Sequence, residues 1–181
     1  MQVKSLKKFK INELEEIIIL SKLIDKDVNC MFDVLPFVNM EYGQVIELKN
    51  LVKTKNILDI DLIQKISEYS KKKISIFEIE KSSVVSFFRT INEIEHNFKR
   101  INNYEMMLNS GADSDLESAG ISELNQFGDL NIIDTLAGGD ILKWEKVLKL
   151  EWWDVFNKLL KDKTERDIQK RYTLIQQSKV K

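Results

Sequence analysis

Apolar residues recur every three or four positions over most of this chain, the period of amphipathic helices rather than the strict alternation of strands. Residues 13–26 carry Leu14, Ile17, Ile18, Leu23 and Ile24 on one such face, with Asn12 three residues ahead of Glu15 at capping-box spacing. Pro36 breaks the next stretch and holds Leu35 extended. Tyr42, Val45, Ile46, Leu48 and Val52 then predict a helix over 40–53. Leu62, Ile63, Ile66 and Tyr69 predict another, capped by Asp59 or Asp61. Residues 74–80 alternate as a strand would, yet Ser75 and Glu78 also stand at capping-box spacing. Helix is the better reading, because Val84, Val85, Phe88, Ile91, Ile94, Phe98, Ile101, Met107 and Leu108 continue as the longest periodic run. Val3, Leu6, Phe9 and Ile11 alternate loosely enough for a short N-terminal strand or arm.

Asn109-Ser-Gly-Ala-Asp-Ser-Asp115 is the clearest loop. Beyond it a helix is expected from Asp113 or Asp115 through Leu116, Ala119, Leu124 and Phe127, closed by Gly128. Asp129 opens a short one through Leu130, Ile133 and Leu136 to Gly138, and Asp140 opens a third with Ile141, Trp144, Val147 and Leu148. Residues 151–177 read as one long helix carrying Trp152, Phe156, Leu159, Leu160, Ile168, Tyr172 and Ile175, with residues 178–181 fraying. The expected architecture is an all-α helical bundle. An N-terminal helical region (1–108) and a loop (109–115) precede a smaller C-terminal bundle (116–181).

Composition supports that reading. One proline and six glycines in 181 residues suit helices, and 43% hydrophobic residues suffice for a buried core. A formal net charge of -1 creates no overall field toward nucleic acid or an anionic membrane. Both ends are locally basic: Lys4, Lys7, Lys8 and Lys10 at the start, and Lys161, Lys163, Arg166, Lys170, Arg171, Lys179 and Lys181 at the end. Asp162, Glu165 and Asp167 dilute the second cluster, and no aromatics interleave with it as stacking platforms would. The longest early apolar run, Ile17 to Leu20, is far too short to cross a bilayer. A single cysteine, Cys30, forms no internal disulfide and suits a reducing compartment.

The inventory for catalysis is thin. His96 is the only histidine; with Glu93 it makes one Glu-x-x-His pair, where a di-iron bundle needs two. A Cys30–His96 nucleophile pair has no local support. Ala137-Gly138-Gly139-Asp140 precedes a helix and could offer N–H groups to an anion, but it lacks the lysine and spacing of a phosphate loop, and a helix–helix turn is much the better reading. The expectation is a non-enzyme with no catalytic, cofactor-binding or metal site and no small-molecule substrate.

The aromatic residues near the C-terminus carry more. Trp144, Trp152 and Trp153 fall close together, and Phe156 and Tyr172 follow on the last helix. Adjacent tryptophans on a helix point about 100° apart, so burying both takes two covering surfaces. A neighbouring helix can supply one and a partner the other, and tryptophan is enriched at binding hot spots. Trp144, Trp152, Trp153, Phe156 and Tyr172 are therefore the predicted partner-binding residues.

The segment from Ala119-Gly-Ile-Ser-Glu-Leu-Asn-Gln-Phe-Gly to Trp144-Glu-Lys-Val147, with Val155-Phe156 and the later Arg-Asp-Ile-Gln-Lys-Arg-Tyr, resembles small helical proteins encoded among tail and baseplate genes of tailed bacteriophages. The likeness spans residues 119–175. It implies a minor structural subunit or assembly factor of the virion tail or baseplate. Such a protein would bind phage structural proteins in a symmetric assembly, in the particle or in the host cytoplasm. Neither membrane nor nucleic acid is an expected partner. The alternative is a regulatory or adaptor protein binding a host or phage factor, nucleic acid included.

Overall fold

A computed structural model describes residues 29–54, 60–70, 72–108 and 118–180. The arm at 2–11, the helix at 13–26, Asp59 and the loop at 109–115 lie outside the described residues, as do Asp113, Asp115 and Leu116. What is described is all-α. The helices are α1 (Tyr42–Thr54), α2 (Ile60–Tyr69), α3 (Ile76–Lys81), α4 (Val84–Leu108), α5 (Leu130–Ala137), α6 (Trp144–Leu148) and α7 (Trp152–Val180). Short 3-10 turns stand at Phe37–Asn39, Ile121–Phe127 and Ile141–Lys143. The described residues divide into two compact units. The first takes those up to Met40 and Gln44–Arg100; the second takes Glu41–Gly43 and those from Ile101 onward.

The first unit buries Leu62, Ile63 and Ile66 from α2, Ile79 from α3, and Phe87, Phe88, Ile91 and Ile94 from α4. Phe37 is fully buried and meets Phe98 edge-on at 4.8 Å. Four polar residues are buried in the described structure: Ser67, Ser70, Thr90 and Asn97. All four do the same thing. Each receives a backbone N–H from outside the α-helices and passes a hydrogen bond on to a carbonyl three or four residues earlier. Met31 N–H donates to Thr90 Oγ1 at 2.9 Å, Leu35 N–H to Ser70 Oγ at 3.4 Å, Phe37 N–H to Asn97 Oδ1 at 3.1 Å and Ile74 N–H to Ser67 Oγ at 3.2 Å. In turn Thr90 donates to Ser86 O, Ser70 to Ile66 O, Asn97 to Glu93 O and Ser67 to Gln64 O. Leu35 precedes a proline and Phe37 opens a 3-10 turn, so the N–H groups of both lack intrahelical acceptors and need these partners.

The strand-or-helix ambiguity at 74–80 resolves as helix. Ser75 accepts from Glu78 N–H, and Glu78 reaches back to Ser75 N–H at 2.8 Å, a complete capping box. The periodic run to residue 108 is, however, two helices. Ser82 is extended, and Ser83 Oγ accepts from Ser86 N–H at 3.1 Å, so the serine pair ends α3 and caps α4. Within that run Phe87 is buried while Val85 and Met107 are exposed. Asp61 lies inside the first turn of α2 rather than ahead of it.

In the second unit an isolated antiparallel bridge pairs Glu41 with Glu151, and Tyr42 N–H donates to Leu150 O at 2.8 Å. Gly43 lies so close to α6 that a Cβ there would sit 3.2 Å from Leu148 O. The core comprises Tyr42, Ile101, Ile133, Ala137, Val147, Trp152, Val155 and Phe156. The helix expected through Leu124 and Phe127 is instead a 3-10 turn between Gly120 and Gly128. Its apolar residues, Ile121, Leu124 and Phe127, stand exactly three apart, the period at which 3-10 side chains eclipse. None of them is buried. Asp140 does open its helix, accepting from Leu142 N–H at 3.1 Å, but the first turn is 3-10. Helix α7 runs on through Val180, past the expected fraying point.

Candidate interaction surface

The start of α7 holds most of the predicted aromatic residues. Trp152 and Phe156, one turn apart on the buried face, stack with ring centroids 5.4 Å apart and planes 7° off parallel. Tyr104, from the last turns of α4, lies over them at 5.9 and 5.1 Å. Trp153 closes the cluster from outside, 5.4 Å from Phe156 and 5.2 Å from Tyr104. Trp152 retains 3% of its exposure and Trp153 37%, so the adjacent pair divides as helical geometry requires, one inward and one at the rim. Tyr104 was not anticipated from sequence. Its signal is its place seven residues after Asn97, on the stripe that also holds Ile94 and Ile101.

The other two predicted residues stand apart from this cluster's ring contacts. Trp144 is half-buried and donates its indole N–H to Asp134 Oδ1 at 3.1 Å, tying α6 to α5. Tyr172 is more than five turns along α7 from Trp152 and 55% exposed. It has company: Ile168, Leu174 and Ile175 are also more than half exposed. From Thr164 to Lys179 every side chain of α7 is exposed apart from half-exposed Asp167. Ile168, Tyr172 and Ile175 share one face by their spacing of four and three.

Lys158 and Lys161 of α7 are engaged with carboxylates of the same helix. Lys158 bonds Asp162, and Lys161 bonds Glu165 at 2.7 Å, each one turn apart; Arg171 Nε donates to the Asp167 carbonyl. Such pairing is the ordinary chemistry of a solvated helix face. Lys163 Nζ reaches the Met107 carbonyl at 2.8 Å, linking α7 to the end of α4. A groove of about 720 Å³ runs between α5 and α7, lined by Asn131, Ile132 and Thr135 on one side and Leu159, Asp162, Glu165, Arg166 and Gln169 on the other.

The residues weighed for catalysis do not converge. Cys30 is half-buried; burial pushes its thiol up, Arg89 pulls it back and Glu93 pushes it up again. Nucleophilic cysteines need the opposite displacement. His96 is exposed, and Glu93 is paired with Arg89 at 2.9 Å. Among the described residues no three metal-ligating side chains gather. At the glycine pair, Gly138 N–H donates to Thr135 O and Gly139 N–H to Asp134 O, both residues at positive φ. Those donors close the end of α5 and are not offered to an anion. No described helix is long and apolar enough to cross a membrane.

Searches for relatives add nothing to this geometry: no family model, no curated protein and no solved structure matches the chain.

Proposed function

We propose that this chain is a non-enzymatic protein of a bacteriophage tail or baseplate, a minor structural subunit or assembly factor, working through protein–protein contacts. One observation carries the contact role: the distal part of α7 presents Ile168, Tyr172, Leu174 and Ile175 to solvent on a continuous helix. Exposed apolar groups gathered on one element, rather than scattered, mark surfaces that a partner covers. The aromatic cluster at the helix's other end supports the same reading. Its rim residue, Trp153, packs against Tyr104 and Phe156 and keeps one edge exposed, the setting of a hot-spot side chain. The resemblance of residues 119–175 to phage tail and baseplate proteins supplies the class of partner.

The test is quantitative mass spectrometry of purified particles from the source, alongside co-purification from infected cells. A small, fixed, symmetric copy number identifies a structural subunit. Presence in cells bound to a tail or baseplate protein, but absence from particles, identifies an assembly factor. A chain found in neither setting ends the proposal. Trp153→Ala should weaken capture of the structural protein by roughly tenfold or more, the scale of a hot-spot truncation. Unchanged capture would remove Trp153 from the contact.

A further inference from the structure

The second unit carries two uncovered apolar surfaces of opposite charge. The first is the outer face of α7, where Ile168, Tyr172 and Ile175 line up. By helical spacing Arg171 and Lys179 lie beside that stripe, and the sequence from 168 onward contains no aspartate or glutamate. The second is the 3-10 turn, whose three-residue period stacks Ile121, Leu124 and Phe127 into one exposed ridge. Glu123 falls within the ridge segment and Asp129 two residues after it, and residues 118–142 contain no lysine or arginine. The two surfaces match in length as well as in charge. A rise of 1.5 Å per residue makes the α7 stripe about 10 Å long, and a rise of 2.0 Å makes the ridge about 12 Å. Both are exposed in the single chain, so neither covers the other there.

We infer that the occupant of each surface is the other surface on a second copy of this chain: the basic tail of α7 docks on the acidic 121–129 ridge of its neighbour. Such a contact is heterologous. Each copy keeps one free ridge and one free tail, so association continues until a ring closes or a filament grows. The inference rests on the reading of α7 as a contact surface and names its partner. It requires no particular class of virion protein.

Charge reversal on the full-length chain, followed by analytical ultracentrifugation, tests it. The wild type should associate with rising concentration, and added salt should weaken the association by screening the rim charges. A tail variant, R171E/K179E, and a ridge variant, E123K/D129K, should each self-associate at least about tenfold more weakly, because each sets like charges against each other. Asp129 makes no capping hydrogen bond, so the ridge variant keeps its helix start. Mixing the two variants should restore association, since each reversed surface then meets a reversed partner. A wild type that stays monomeric at high concentration overturns the inference, and capture of a tail protein by that monomer would still uphold the proposed function. A ridge variant that associates as well as wild type also overturns it, because the tails would then be pairing with each other.

Discussion

Asn97 shows how one polar side chain can fix the path of a segment that lacks regular structure. Its carboxamide accepts from Phe37 N–H and donates to Glu93 O, so neither end is idle in the core. Replacing it with leucine keeps the bulk and removes the acceptor, leaving the Phe37 N–H buried without a partner. That should cost about 1–3 kcal/mol, whereas Asn50→Ala on an exposed turn of α1 should stay within about 0.5 kcal/mol. Urea unfolding at unchanged m-value measures both. An Asn97→Leu chain as stable as wild type would mean that Phe37 packing alone holds the segment. The adjacent tryptophans make a parallel contrast. Trp152→Ala empties a stacked, covered site and should cost about 3–5 kcal/mol. Trp153→Ala removes a ring already 37% exposed and should cost clearly less, by the same measurement. Equal losses would mean that the rim ring is as much a part of the core as its neighbour.

Helix α3 is the element most dependent on local chemistry. It has six residues, too few to be stable by propagation alone, and it is anchored by the Ser75–Glu78 capping box. Bonds from Ser75 N–H and Oγ hold the Glu78 carboxyl below its ordinary range. A carboxyl depressed in the folded state stabilises above its unfolded pKa, near about 4.3 for glutamate, and loses that contribution as pH falls through the lower folded value. The stability gap between wild type and Glu78→Ala should therefore be constant from neutral pH to about 5 and narrow below about 4. A gap of the same size at neutral pH and at about 3 would show that the carboxylate charge contributes nothing.

This capping box was legible in the sequence, as were the apolar faces of α1, α2 and α5, because local signals agreed with the fold there. Three features were less so. Ser82-Ser83 lies inside an unbroken apolar period, and nothing in the period says that the hydroxyls will win over the helix backbone. Ile121, Leu124 and Phe127 fit an α-helical face nearly as well as a 3-10 ridge, since a step of three belongs to both. The buried ladder of Ser67, Ser70, Thr90 and Asn97 joins residues up to 60 apart in sequence, and no spacing rule reaches that far. For the candidate surface, Trp152, Trp153 and Phe156 do gather at the start of α7, while Trp144 has no ring contact in that cluster. Tyr172, read as one more member of that group, belongs instead to the separate exposed stripe.

At the scale of the whole molecule, the last helix divides its labour along its length. Twenty-nine residues make α7 about 43 Å long, yet its buried side chains are Trp152, Val155 and Phe156, all within the first two turns. The middle is tied down by Lys163 at the Met107 carbonyl and borders the groove against α5. Beyond Gln169 the described side chains are exposed, so that stretch stabilises the fold through little beyond its own backbone hydrogen bonds. The proposed contact role accounts for a long, charged and apolar extension that adds so little to folding. Ending the chain at Lys170 separates the two roles. Unfolding free energy should stay within about 0.5 kcal/mol of wild type, because the described side chains it removes are all exposed. Self-association should fall by at least about tenfold, since Arg171, Tyr172 and Ile175 go with the tail. Chemical denaturation and sedimentation on the same preparation read both quantities. A shortened chain that unfolds much more easily would place the tail inside the fold, and one that still assembles would move the contact to the aromatic cluster around Trp153.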